Sequence, residues 1–160
     1  MSEQKRRTLS FQNLNEVADD VQALHANGYA AVGNWDLSQV CGHLVEWMRF
    51  PMDGFPESRF PMSWLFAVMR ITMGRRILRK ILAGDSMKSG GPTLPATVPE
   101  TGGDEAGAVR SLCDTIARLQ THDGPLHPSP VFGDMDLQTL TKLQLIHCAH
   151  HLSFLLPKQK

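Results

Sequence analysis

Apolar residues recur along the chain at intervals of three and four, in several separate blocks, which places each block on one face of a helix. Leu14, Val17, Val21 and Leu24 form the first, with Glu16, Asp19 and Asp20 between them. A helix is expected up to Asn27, with Gly28 just beyond its end, where glycine commonly closes a helix. The second block is Val40, His43, Leu44 and Trp47. Asp36 stands at its N-cap and Gln39 three residues on, the spacing of a capping box, and Trp35 outside the cap can pack on Val40 as a hydrophobic staple. This helix is expected to end before the Pro51 to Pro56 region, since proline lacks the N–H a helix interior needs.

The residues from Pro61 to Leu82 read as a further helix, apolar in its first half and basic in its second. Gly84 to Gly103, with Gly90, Gly91, Pro92, Pro95 and Pro99, reads as a long crossover. Ala108, Leu112, Ile116 and Leu119 line the next helix, with Asp104 as its cap. Thr121 to Gly133 is loop and carries His122 and His127. The last helix starts at its cap Asp136 and runs to about Leu156, before Pro157. Its inward stripe is Leu140, Leu143, His147, His151 and Phe154. No strand and no internal repeat is expected. The expected fold is all-α: a four-helix bundle of the helices beginning near 14, 36, 104 and 136, with the 61–82 helix inserted. The bundle would be one domain over residues 14–156, with a flexible lead-in at 1–13 and a tail at 157–160.

Composition narrows the function. The 160 residues carry a formal net charge of zero and are 42% hydrophobic, without the basic excess of a nucleic-acid binder. Met1 to Arg7 is polar with no apolar run behind it, so no signal peptide is expected. The most apolar stretch, Trp64 to Met73, is interrupted by Arg70 and is too short to span a bilayer. Cys41, Cys113 and Cys148 are odd in number and lack C-x-x-C spacing, which fits a reducing cytoplasm. The expected partner is a small molecule, with neither nucleic acid nor membrane.

The chemistry concentrates in Leu143 to Phe154, where three of the seven histidines fall within five residues. His147 and His151, four apart, rise on one helical face and present two imidazoles to one point; His150 competes for the second place. His43 lies on the apolar stripe of another helix and supplies a third ligand. The bland alternative is that each is a hydrogen-bonded core histidine. Two buried imidazoles side by side cannot both be charged without repulsion, and a shared metal removes that conflict. Glu46, one turn after His43, is a candidate ligand, base or edge residue. Cys41 and Cys148 are candidate thiolates or plain packing. Arg75, Arg76 and Arg79 sit where cations complement a helix C-terminus, or else form an anion-binding rim.

Asn34-Trp35-Asp36, Gly42-His43-Leu44 and, a hundred residues later, His147-x-x-x-His151 resemble the DinB/YfiT-like superfamily of metal-dependent helical bundles. Met52-Asp53-Gly54-Phe55-Pro56, His127-Pro128-Ser129-Pro130-Val131-Phe132-Gly133 and His150-His151-Leu152-Ser153-Phe154 resemble an uncharacterised bacterial branch of it, a domain of unknown function. The resemblance covers residues 14–156. It implies a divalent metal, nickel or zinc, held by His43, His147 and His151 with positions left open; His150, Glu46 and His127 stand as alternates or supports, and the loop from His127-Pro128 to Phe132-Gly133 either closes over the site or serves only as a turn. Some relatives are thiol-dependent S-transferases that use bacillithiol or mycothiol; others are isomerases or hydrolase-like. By this reading the basic cluster from Arg75 to Lys80 would hold the carboxylates of a low-molecular-weight thiol, and a homodimer, as in relatives, is compatible with the chain. The inserted 61–82 helix, the added His150 and the longer ligand separation depart from the simple pattern.

Three functions therefore compete. The first is a metal-dependent enzyme, with thiol transfer the leading reaction. The second is a non-catalytic bundle that binds a partner and holds no metal. The third is an anion or nucleic-acid binder using the basic run from Arg70 to Lys80, against which the neutral net charge counts. The sequence assigns no catalytic residue.

Overall fold

The computed structural model describes residues 6–84, 87, 100 and 102–158. These residues are mostly helical, with one small antiparallel sheet. Helix α1 spans Leu14–Asn27, β1 Tyr29–Ala31 and α2 Leu37–Asp53. Helix α3 (Met62–Met69) passes through a π-helical turn (Arg70–Gly74) into α4 (Arg75–Gly84). Helices α5 (Glu105–Gln120) and α6 (Leu137–Leu152) follow, and β2 (Leu155–Pro157) closes the chain. The expected crossover from Gly84 to Gly103 lies largely outside the described residues.

One core joins α1, α2, α5 and α6. Val17, Val21 and Leu24 of α1, Leu37, Leu44 and Met48 of α2, Leu112 and Ile116 of α5, and Leu140 and Leu152 of α6 are all buried in it. The capping chemistry read from the sequence is in place. Asp36 accepts from the Gln39 N–H at 2.8 Å while the Gln39 side chain accepts from the Asp36 N–H at 3.2 Å. Asp136 accepts from the Thr139 N–H at 2.7 Å. Gly28 closes α1 at φ 80°, a conformation that costs glycine little. Asp104 stands at the N-cap of α5 without a side-chain cap bond.

Three expectations are corrected. A short sheet exists: α6 ends at Leu152, and Leu155–Pro157 pairs with Tyr29–Ala31, Ala30 opposite Leu156. The pairing extends through Val32 N–H to the Phe154 carbonyl at 2.9 Å and Lys158 N–H to the Gly28 carbonyl at 3.0 Å, so the end of α6 is fastened to the strand leading into α2. Three-residue strands carry too little alternation to be read from sequence. The basic–apolar segment, expected as one helix over 61–82, is helical throughout from Met62 to Gly84, but it is not uniformly α-helical: a π-helical turn separates α3 from α4.

The third correction concerns Pro51, which lies inside α2 instead of ending it. Proline leaves the carbonyl four residues earlier, Trp47, without its intrahelical donor. Gln144 of α6 replaces that donor, its Nε2 reaching the Trp47 carbonyl at 3.0 Å, and the Pro51 carbonyl accepts from the His127 N–H at 2.7 Å. A single buried glutamine thus compensates the proline and couples α2 to α6. Replacing Gln144→Leu should cost about 1–3 kcal/mol, the penalty of a buried carbonyl left unpaired. In a Pro51→Ala background, which restores a backbone N–H able to donate to the Trp47 carbonyl, the loss should shrink. Urea unfolding of the four proteins measures the coupling; strict additivity would refute this account.

Candidate metal centre

His43 on α2 and His147 and His151 on α6 meet, as the sequence spacing implies. One ring nitrogen from each lies within 4.8 Å of the other two. His43 Nε2 and His147 Nε2 are 3.2 Å apart, and the ring centroids of His43 and His151 are 4.6 Å apart. His43 is buried; His147 and His151 are partly open to solvent. Cys41 and Cys148, on the same helices, are buried in the core.

Two tryptophans wall the cluster. Trp35, expected as a staple on Val40, lies flat against His151 (5.3 Å between centroids, 7° between planes) and tilted against His43 at 4.9 Å. The β1–β2 pairing brings it there by fixing residues 29–32 beside the end of α6. Gly33 leaves room on the way, because a Cβ there would crowd the Phe154 Cβ at 3.2 Å. Trp47, one turn after His43, packs edge-on against His147 at 5.9 Å. Its Nε1 and the Oε1 of Gln144 are buried with no hydrogen-bond partner among the described residues. One orphan donor and one orphan acceptor therefore sit a turn away from the histidines.

The electrostatics favour neutral imidazoles. Burial, reinforced by His151 and His43, holds His147 well below the ordinary histidine range. Burial and then His43 push His151 down to about 3. Burial and the Arg6 guanidinium lower His150. Neutral rings keep a lone pair available and spare a metal from competing with protons. The spacing fits for the first pair: nitrogens about 2.0–2.1 Å from a tetrahedral zinc stand about 3.3–3.4 Å apart, close to the His43–His147 separation of 3.2 Å, while the three ring nitrogens as a set lie within 4.8 Å of one another.

The remaining candidates lie elsewhere. His150 packs against His151 and Phe154. Glu46 is partly exposed and 3.8 Å from Arg49. His127 is exposed, with its backbone bound to the end of α2. Arg75, Arg76 and Arg79 are exposed on α4, which packs against α6. The thiolate option does not hold: burial pushes Cys41 up to about 12 and raises Cys148 further, so both are protonated packing groups. Reading the sequence missed the cations that do reach the end of α6. Arg7 binds both carboxylate oxygens of Asp20 and the Leu152 carbonyl at 3.0 Å, and Arg6 lies 4.8 Å over the Phe154 ring. Only the doubled arginine in the lead-in could have signalled them.

The depressed histidines make the metal-free protein sensitive to acid. The unfolded chain takes up these protons near 6.5 and the folded chain does not, so stability is complete above that pH and falls below it. The slope should reach about 1.4 kcal/mol per pH unit for each histidine kept neutral. Carboxylates such as Asp53, held at about 2 chiefly by its hydrogen bond from Arg118, add their loss only in stronger acid. Chemical denaturation of chelator-treated protein from pH 8 to 5 should show the decline, made shallower by His147→Gln. A flat profile would contradict neutral burial.

No curated protein and no solved structure matches the chain significantly. A family model described as "Protein of unknown function (DUF1569)" matches residues 3–158, a span that includes the three histidines and both tryptophan walls. The chain belongs to that family of proteins of unknown function.

Proposed function

We propose that His43, His147 and His151 hold one divalent cation, zinc or nickel, and that the chain is a metal-dependent enzyme acting on a small molecule. One observation carries this reading: three imidazoles from two helices converge within 4.8 Å. The depression of His147 and His151 by burial supports it. An ion held by three neutral imidazoles retains open positions and supplies Lewis acidity, which acidifies a bound water or thiol. The chain's own residues have definite tasks around it. Trp35 and Trp47 limit water on two sides, and the stack on Trp35 fixes the His151 ring. The Trp47 indole N–H and the Gln144 carbonyl add one buried donor and one buried acceptor a turn from the histidines.

The reaction we assign is thiol transfer by a four-helix bundle of the DinB/YfiT-like kind, with a low-molecular-weight thiol as co-substrate. This step rests on the sequence resemblance, on the partial openness of His147 and His151, and on the absence of any protein thiolate at the site among the described residues.

One observation favours a second reading, a binding module without metal. At 3.2 Å, His43 Nε2 and His147 Nε2 are also within hydrogen-bond distance, so a protonated ring nitrogen on one can donate to the other and satisfy both within the core.

Elemental analysis of protein purified without a metal-affinity tag separates the two. The enzyme reading expects about one zinc or nickel per chain, as for a mononuclear site, lost in His43→Ala and His147→Ala variants that keep their helical circular dichroism. Metal added at about a hundredfold over its Kd should stabilise the apo wild type by about 2.7 kcal/mol and leave the variants unmoved. A wild type that takes up no metal even after add-back would favour the binding module.

A further inference from the structure

Helix α3, Met-Ser-Trp-Leu-Phe-Ala-Val-Met, buries none of its residues although seven of the eight are apolar. Phe60 is 82% exposed, Trp64 63% and Ile71 83%, with Met62, Leu65 and Met73 also open. Exposed apolar patches of this size on a folded chain ordinarily mark a surface that meets something else. The segment is nevertheless anchored. Leu78 of α4 is buried, α4 packs on α6, and Gly74 passes so close to the Val131 carbonyl that a Cβ would overlap it. Residues 60–84 thus form a braced arm that leaves Phe60, Met62, Trp64, Leu65, Ile71 and Met73 exposed.

Charge identifies what the arm meets. From Ser58 to Gly84 the chain holds Arg59, Arg70, Arg75, Arg76, Arg79 and Lys80 and not one carboxylate. The chain as a whole sums to zero, so the remainder carries six more carboxylates than cations. The molecule is polarised, with cations and exposed apolar groups on the same arm. A second copy docking arm to arm would press six cations against six. A layer of phosphates over hydrocarbon answers both features at once: arginine and lysine heads pair with phosphate while their stems and the tryptophan ring lie at the polar–apolar boundary.

We propose that the arm from Phe60 to Leu82 docks on the surface of an anionic phospholipid bilayer, with Phe60, Trp64 and Ile71 entering the interface and Arg70, Arg75, Arg76, Arg79 and Lys80 engaging the phosphates. The arm lies on the bilayer and does not cross it; no described helix is long and apolar enough to span a membrane. The sequence expectation of no membrane partner is revised to this extent, and the inference stands independently of the metal reading.

Flotation of the full chain with phosphatidylcholine vesicles, with and without phosphatidylglycerol, tests it. Binding should require phosphatidylglycerol and weaken steeply as salt rises. A Trp64→Gln/Ile71→Gln variant should bind about tenfold more weakly with an unchanged thermal midpoint, since both side chains are exposed. Failure to float with anionic vesicles at low salt, or equal flotation of variant and wild type, would overturn the proposal. So would a dimer in sedimentation that the double variant dissolves while no vesicle binding occurs, which would assign the patch to a second copy.

Discussion

The candidate centre depends on α2 and α6 being held so that His43 and His147, 104 positions apart in sequence, stand 3.2 Å from each other. Little of that constraint comes from the histidines themselves, since burying imidazoles away from water is unfavourable unless they stay neutral and find partners. It comes from the shared core of α1, α2, α5 and α6 and from three ties at the ends. Gln144 spans α2 and α6 at the carbonyl that Pro51 leaves open. The β1–β2 pairing fixes the end of α6. Arg7 joins Asp20 of α1 to the Leu152 carbonyl. From β1, the Tyr29 hydroxyl joins the starts of α2 and α5, donating to Glu105 at 3.0 Å and accepting from the Leu37 N–H at 2.9 Å.

Within this frame the cluster is polar groups in an aromatic wall. Trp35 and Trp47 supply apolar faces, while the Trp47 and Gln144 side chains leave one donor and one acceptor unmatched. Buried polar atoms without a protein partner are costly in a protein interior unless water or a bound group satisfies them. The same α6 that presents His147 and His151 also packs against α4, so the braced arm and the cluster share one helix while differing in chemistry. The cluster is half-buried, with His147 and His151 held neutral; the arm is open and cationic.

How much could be read from the residues follows from how local each signal is. Helix periodicity, the Asp36–Gln39 capping box and the four-residue step from His147 to His151 are short-range patterns, and all three are present in the structure. The meeting with His43 was also legible, because His43 interrupts an otherwise apolar stripe. Long-range compensation was not. A proline ends a helix unless some distant group answers its lost donor, and nothing near Pro51 announces Gln144. The place of Trp35 depends on a sheet of three-residue strands at opposite ends of the chain, too short to signal themselves. The exposure of Trp64 and Ile71 escaped notice for the opposite reason, since an apolar helical stretch looks like core until its neighbours are known.

The most direct test of the central claim is anomalous diffraction from crystals grown with zinc or nickel, collected on either side of the metal's absorption edge. A metal site predicts one peak bonded to the ring nitrogens of His43, His147 and His151 at about 2.0–2.1 Å, with at least one further position filled by solvent or ligand. Density showing no peak, with His43 and His147 hydrogen-bonded to each other, would contradict it and make the cluster part of the core.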